Sequence, residues 1–80
     1  MTTTELADLM FSGNDDAFEA ALENAGTVKV TRKMSDTIES VCTWANETEH
    51  YHVDSLCQLA QNGHARSVKL ILSKAARLGY

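Results

Sequence analysis

A glycine-centred turn between two amphipathic stretches occurs twice in this chain, and it constrains the fold more than any other feature of the sequence. Residues 54–76 align without a gap on residues 4–26, at an offset of 50. The coinciding positions are apolar or turn residues: Leu6 and Leu56, Leu9 and Leu59, Gly13 and Gly63, Phe18 and Val68, Leu22 and Leu72, Ala25 and Ala75. This similarity predicts a duplicated unit of two helices joined by a tight turn.

Polar residues before the apolar stretches predict where the helices begin. Thr2-x-x-Glu5 and Asp36-x-x-Glu39 have the spacing of a capping box, in which the first side chain accepts a backbone N–H of the first turn. A central helix is therefore expected to open at residues 34–36 and to end near residue 46. Asp54 is expected to cap the first helix of the second copy.

Apolar residues at helical spacing predict one buried face on each helix. The expected core consists of Leu6, Leu9, Met10, Phe18, Ala21, Leu22, Ala25, Ile38, Val41, Cys42, Ala45, Leu56, Leu59, Ala60, Val68, Ile71, Leu72 and Ala75. Trp44 lies off the centre of the stripe on the central helix, so it is expected to be half-exposed.

Two stretches break the helical pattern. Residues 27–33 alternate valine with polar residues, and residues 47–53 are polar and aromatic, so each is expected to be a loop or a short strand. The sequence therefore predicts one mainly α domain over residues 1–80. We expect about five short helices, with two hairpins around the central helix and room for a two-stranded β element.

The charge balance disfavours a phosphate-binding surface. The chain has 80 residues and a formal net charge of -4, whereas nucleic-acid contacts need clustered Lys and Arg. The start of the chain has no basic region followed by an apolar run, and no stretch is long and apolar enough to span a membrane. These features predict a cytoplasmic protein that does not associate with membranes. Its two cysteines are expected to be buried free thiols, and a single disulfide between them is possible but not implied.

The second copy resembles an ankyrin repeat. The similar residues are Leu56, Leu59-Ala60, Asn62-Gly63-His64, Val68-Lys69-Leu70-Ile71-Leu72 and Ala75-Ala76. The Thr-Pro that opens an ankyrin helix is absent, and the offset of 50 differs from the family period of about 33 residues. The resemblance implies a protein-binding module without catalysis.

The same stretch also resembles a DNA-binding helix-turn-helix, and its tail resembles the segment that follows this motif in LacI-type repressors. The glycine comes one residue early for that motif. The likeness implies an alternative function as a nucleic-acid-binding regulator. Its phosphate contacts would come from the basic residues of the last helix, Arg66, Lys69, Lys74 and Arg77.

No motif predicts a metal site, a cofactor or catalysis. The candidate metal ligands lack the usual paired spacing of zinc sites; they are Cys42, His50, His52, Cys57 and His64. Cys57 with His52 or His64 has the residue types of a nucleophile and base, but no segment supplies an oxyanion hole. We expect a non-enzymatic protein with no cofactor.

Exposed aromatic residues and the acidic first hairpin are the candidate interaction residues. Trp and Tyr side chains anchor many interfaces, and the aromatic stretch lies where the duplication is interrupted. The expected protein-binding residues are Trp44, His50, Tyr51, Asp15, Asp16 and Glu19. The partner would be another protein, and a small phage-type inhibitor of a host enzyme or defence complex would have this composition. A homodimer is also left open.

Overall fold

Helices account for most of the molecule. The computed structural model describes residues 1–22 and 26–80, and within them the side chains of all residues except 17, 18, 20 and 21. The α-helices are α1 (Thr3–Phe11), α2 (Asp15–Leu22), α3 (Arg32–Glu47), α4 (Asp54–Gln61) and α5 (Ala65–Leu78). A 3-10 turn, Tyr51–Val53, precedes α4.

The prediction of a mainly α fold is confirmed, but five short helices are not an adequate description. Helices α3 and α5 have 16 and 14 residues, and the 3-10 turn was not expected. Helices α1 and α4 lie at matching positions of the two aligned segments, and so do α2 and the first part of α5.

Helix α5 lies at the centre of the core, where it contacts α1, α3 and α4. Packing on several sides buries more of α5 than one stripe, and Leu70 and Ser67 are fully buried although neither was expected in the core. The core consists of Leu6, Ala7, Met10, Phe11, Ile38, Val41, Ala45, Val53, Leu56, Cys57, Ala60, Val68, Leu70, Ile71 and Ala75.

Some predicted core residues are less buried than expected. Leu9, Cys42 and Leu72 are only partly buried and pack at the edge of the core. Leu22 is 40% exposed, so its prediction as a core residue is wrong. The predictions for Phe18, Ala21 and Ala25 fall outside the described residues.

The two glycine turns have the same backbone geometry. Gly13 and Gly63 both have φ of 91°, a left-handed conformation that glycine adopts without strain. In the first turn Asn14 N donates to Leu9 O at 3.0 Å, and in the second His64 N donates to Leu59 O at 2.9 Å. These are Schellman ends, in which backbone N–H groups satisfy the last carbonyls of the helix.

The predicted β element is wrong. In the described ranges 1–22 and 26–80, residues 27–31 make one isolated antiparallel bridge, between Thr27 and His64. The expected partner segment, residues 47–53, contains the end of α3, a turn and the 3-10 turn. Backbone N–H groups of that segment donate to carbonyls in the last turn of α3, so they are not available to pair with residues 27–31.

Two of the predicted helix starts are also displaced. Thr2 caps α1 as expected, since its Oγ1 accepts from Glu5 N at 3.1 Å. Helix α3 begins earlier than predicted, because Thr31 rather than Asp36 is its N-cap and accepts from Met34 N at 3.2 Å. Asp54 lies inside the first turn of α4, because the preceding 3-10 turn runs directly into that helix.

Candidate functional site

The C-terminus of α3 positions the first histidine of the aromatic stretch. Glu49 N donates to Asn46 O at 3.2 Å and His50 N donates to Ala45 O at 2.7 Å. This is the same Schellman pattern as in the two glycine turns. Here the left-handed residue is Glu49, with φ of 63°, and no other non-glycine residue in the described part of the chain has a positive φ. The turn fixes His50 where the chain reverses beside α3.

Four rings form a continuous aromatic cluster, which we define as Phe11, Trp44, His50 and His52. The His50 ring stacks on the Trp44 indole with centroids 5.2 Å apart and an interplanar angle of 17°. Phe11 contacts Trp44 at 5.6 Å and His50 at 6.2 Å, and the His52 ring lies 6.0 Å from His50. Residues from α1, α3 and the segment before α4 therefore meet at one place.

Hydrogen bonds fix both histidines of the aromatic cluster. His50 Nδ1 lies 2.7 Å from Thr48 Oγ1, and His52 Nε2 lies 2.6 Å from the carbonyl oxygen of Met10. Because a carbonyl only accepts, the His52 Nε2 atom must carry the proton in this contact. The cluster is consequently attached to α1 by a polar contact as well as by ring packing.

A charged group closes one side of the aromatic cluster. Lys74 Nζ lies over the Phe11 and Trp44 rings, 5.5 Å and 5.2 Å from their centroids, in cation–π geometry. The same Nζ is 3.1 Å from Asp8 Oδ1, and Arg77 Nη1 is 3.0 Å from Asp8 Oδ2. Asp8 therefore balances two cations of α5 next to the rings.

An acidic groove runs along the outer face of α3 from the Trp44 side of the cluster. It is lined by Asp36, Glu39, Ser40, Thr43, Trp44, Glu47 and Tyr80. None of its three carboxylates makes an ion pair with any residue in the described ranges. The groove thus combines unpaired negative charge with two aromatic side chains.

The structure brings together some of the predicted protein-binding residues. Trp44 is half-buried and in contact with His50, and Tyr51 follows directly with 59% of its surface exposed. The three acidic residues of α2 are exposed; they are Asp15, Asp16 and Glu19. Among the described residues, the ring contacts of the aromatic cluster involve none of these three acids.

The basic residues predicted for nucleic-acid binding do not form one free positive face. Lys74 and Arg77 share Asp8, and the Lys74 side chain is only 15% exposed. Arg66 is half-buried and Lys69 is exposed. Two of the four predicted phosphate-binding cations are thus already paired within the chain.

Sequence reasoning missed several residues of this site. Asp8, Phe11, Asp36, Glu39 and Glu47 were not predicted as binding residues, although all lie at the cluster or in the acidic groove. The spacing of the three α3 acids, 36, 39 and 47, places them on one helix face once the helix is assigned. No local pattern could reveal Asp8, because its partners are 66 and 69 positions away in sequence, at Lys74 and Arg77.

The remaining candidate features are metal ligands, cysteines and membrane-spanning helices. Over residues 1–22 and 26–80 no three His, Cys, Asp or Glu side chains are grouped so that they could hold a metal ion. Both cysteines are free thiols. None of the helices in these ranges has the length and apolar character needed to cross a membrane.

Comparison of the chain with protein-family models, with curated proteins and with solved structures found no match.

Proposed function

We propose that this chain is a non-enzymatic protein-binding module whose interface lies at the end of α3. We call the exposed side of Trp44, with Tyr51 and the acidic groove, the binding surface. The observation that supports it best is the placement of Tyr51. An aromatic side chain that is 59% exposed stands beside a fixed Trp44–His50 stack, as an interface anchor would.

The charge of the binding surface specifies the kind of partner. Asp36, Glu39 and Glu47 carry no ion pair with a described residue, and the chain as a whole has a net charge of -4. An opposing surface that carries Lys or Arg would pair with these carboxylates and would be steered toward them during encounter. The expected partner is therefore a protein with a basic patch. An inhibitor of a host enzyme or defence complex is one biological form that such a binder would take.

Backbone strain at Glu49 also supports a function for this end of α3. A left-handed conformation costs an L-residue about 1–2 kcal/mol, and the two glycine turns of the same type avoid that cost. Strained residues of this kind concentrate at binding sites and switches. Glu49 directly precedes His50 and Tyr51, so the strained turn and the exposed aromatic residue lie in the same three residues.

The nucleic-acid alternative depends on fewer free charges than the sequence suggested. With Lys74 and Arg77 paired to Asp8, Arg66 and Lys69 would have to carry the phosphate contacts of α5. Loss of two contacts would lower both the affinity and the salt dependence that counterion release produces. The protein-binding hypothesis is therefore preferred. The experiment below includes an outcome that would support nucleic-acid binding instead.

The experiment compares two matched surface variants in a pull-down. Tagged protein is incubated with nuclease-treated host lysate, and retained proteins are identified by mass spectrometry. Tyr51→Ala removes the exposed anchor of the binding surface, and Lys69→Ala removes an exposed side chain of α5. We expect a defined protein that is retained by the wild type and by Lys69→Ala and is lost with Tyr51→Ala.

A second pair of variants tests the charge. Glu39→Lys should weaken capture of the same protein, whereas Glu5→Lys, an exposed change on α1, should leave it unchanged. In a parallel sample without nuclease, recovery of nucleic acid alone, lost at high salt and sensitive to Lys69→Ala, would refute the proposal in favour of the helix-turn-helix alternative. Capture that is indifferent to Tyr51 and Glu39 would place the interface elsewhere.

A further inference from the structure

Two free thiols lie at the seam between α3 and α4, in a groove that shares Glu39 with the acidic groove of the binding surface. Cys42 on α3 is half-buried, and Cys57 on α4 is 7% exposed. Both line one open groove between these helices. The protein-binding surface proposed above uses neither thiol.

The packing of α3 against α4 holds this pair in place. One helical turn further along α4, Gln61 makes two hydrogen bonds to Ser35: Ser35 Oγ donates to Gln61 Oε1 at 2.8 Å, and Gln61 Nε2 donates to Ser35 O at 3.2 Å. Ser35 and Cys42 are seven residues apart, and Cys57 and Gln61 are four apart, so each pair lies on one face of its helix. The seam is therefore fixed on the side where the thiols meet.

The two thiols differ in exposure and in acidity. The hydrogen bond from Cys57 lowers the pKa of the Cys42 thiol, although partial burial opposes that shift. Donation of the same bond, together with burial, raises the pKa of the Cys57 thiol well above its usual range. Because the thiolate is the nucleophile, Cys42 is both the more accessible and the more reactive member of the pair.

We propose that Cys42 and Cys57 form a redox-reactive dithiol site that is oxidised by small disulfides such as oxidised glutathione. Cys42 is the attacking residue and Cys57 is the resolving residue. The product is an intramolecular disulfide that links α3 to α4.

The reaction balances with the small disulfide as the only oxidant. The Cys42 thiolate attacks one sulfur of the small disulfide, forms a mixed disulfide and releases one small thiolate. Cys57 then loses its proton and attacks Cys42 Sγ, which forms the internal disulfide and releases the second small thiolate. Two protein thiols are oxidised, and one small disulfide is reduced to two small thiols after both protons are taken up.

The test uses the whole reduced chain in its native state. The protein is incubated with oxidised glutathione, the remaining thiols are blocked with iodoacetamide, and the intact mass is measured. We expect a monomer that has lost two hydrogens and takes up no alkylating group. Digestion at Glu47 and Glu49, which lie between the two cysteines, should leave the Cys42 and Cys57 peptides joined until a reductant is added.

Single-cysteine variants test the order of attack. Cys57→Ser should stop at the mixed disulfide and gain the mass of one glutathione on Cys42. Cys42→Ser should react with oxidised glutathione at least about tenfold more slowly than Cys57→Ser, because its remaining thiol is buried and poorly ionised. Equal rates in the two variants would overturn the assigned roles.

The wild-type digest decides the proposal even if a variant fails to fold. The same incubation in guanidinium chloride shows that the reagents oxidise accessible thiols. Native protein that keeps both thiols free, carries only glutathione adducts, or forms only disulfide-linked dimers would overturn the proposed site.

Discussion

The two glycine turns share one backbone geometry but have different surroundings. In the first turn, a Cβ added to Gly13 would meet no atom of the described part of the chain within 4 Å. In the second, a Cβ on Gly63 would lie 2.6 Å from the carbonyl oxygen of Val28. The same local sequence thus forms an open turn in one hairpin and a tightly covered turn in the other.

The covering segment explains this difference. Val28 N donates to Gly63 O at 2.8 Å, and Ala65 N donates to Gly26 O at 2.9 Å, so residues 26–28 lie directly on the second turn. Gly63 is therefore required both for its left-handed φ and for the close approach of another backbone. Gly13 is required only for its φ. A repeat in sequence encodes the turn, while the chain between the copies decides which turn becomes part of the core.

Gly63→Ala should cause the largest loss of stability among changes at the turns. We expect the free energy of unfolding to fall by about 3 kcal/mol, which combines left-handed strain of about 1–2 kcal/mol with overpacking against a backbone atom. Urea unfolding monitored by circular dichroism measures this loss of stability. A loss no greater than that of Gly13→Ala would show that the contact with Val28 is dispensable.

His64→Ala should have the next largest effect. His64 Nδ1 accepts from Ser67 N at 3.2 Å and lies 2.7 Å from Ser67 Oγ, and Ser67 is fully buried. Loss of the helix cap and of the partner of a buried hydroxyl should cost about 2 kcal/mol. His64→Asn gives the second turn the residue found after Gly13 and retains a capping side chain, so it should lose less than half as much. Equal losses would argue against capping by His64.

Gly13→Ala should cost about 1 kcal/mol, because left-handed strain is introduced and the new methyl group meets no described atom within 4 Å. Gly13→Asn should cost less, since asparagine tolerates this conformation. The difference of about 2 kcal/mol between Gly63→Ala and Gly13→Ala in urea unfolding measures the contribution of the covering segment. A large loss for Gly13→Ala would mean that the first turn is also covered.

Glu49→Gly should change the free energy of unfolding least, and it should raise stability where the other substitutions lower it. The Schellman end of α3 places glutamate where those at Gly13, Gly63 and Gly79 place glycine, so we expect stability to rise by about 0.5–1 kcal/mol. Glu49→Ala is the control, because it removes the carboxylate and keeps the strain. If the alanine variant gains as much as the glycine variant, the charge rather than the backbone conformation is unfavourable.

The helices and their ends could be predicted from the sequence wherever the signal was local. The Thr2 cap of α1 and the turns at Gly13 and Gly63 follow from residues within one turn of each other. The conformation of residues 47–53 could not be predicted from local sequence in this way. Their aromatic and β-branched content favoured a strand, but the N–H groups of Glu49 and His50 are used to close α3.

The sequence alone determined that this chain forms mainly helices joined by left-handed turns, because side-chain periodicity and glycine act over a few residues. Only the tertiary structure decided which of those helices is central. Leu70 and Ser67 are buried because α5 is surrounded by other helices, and Asp8 has two cationic partners because α5 brings Lys74 and Arg77 to it. The contacts between Trp44, His50 and Phe11, and between Cys42 and Cys57, have the same origin. They join residues from different elements, and their proximity depends on packing that no local pattern encodes.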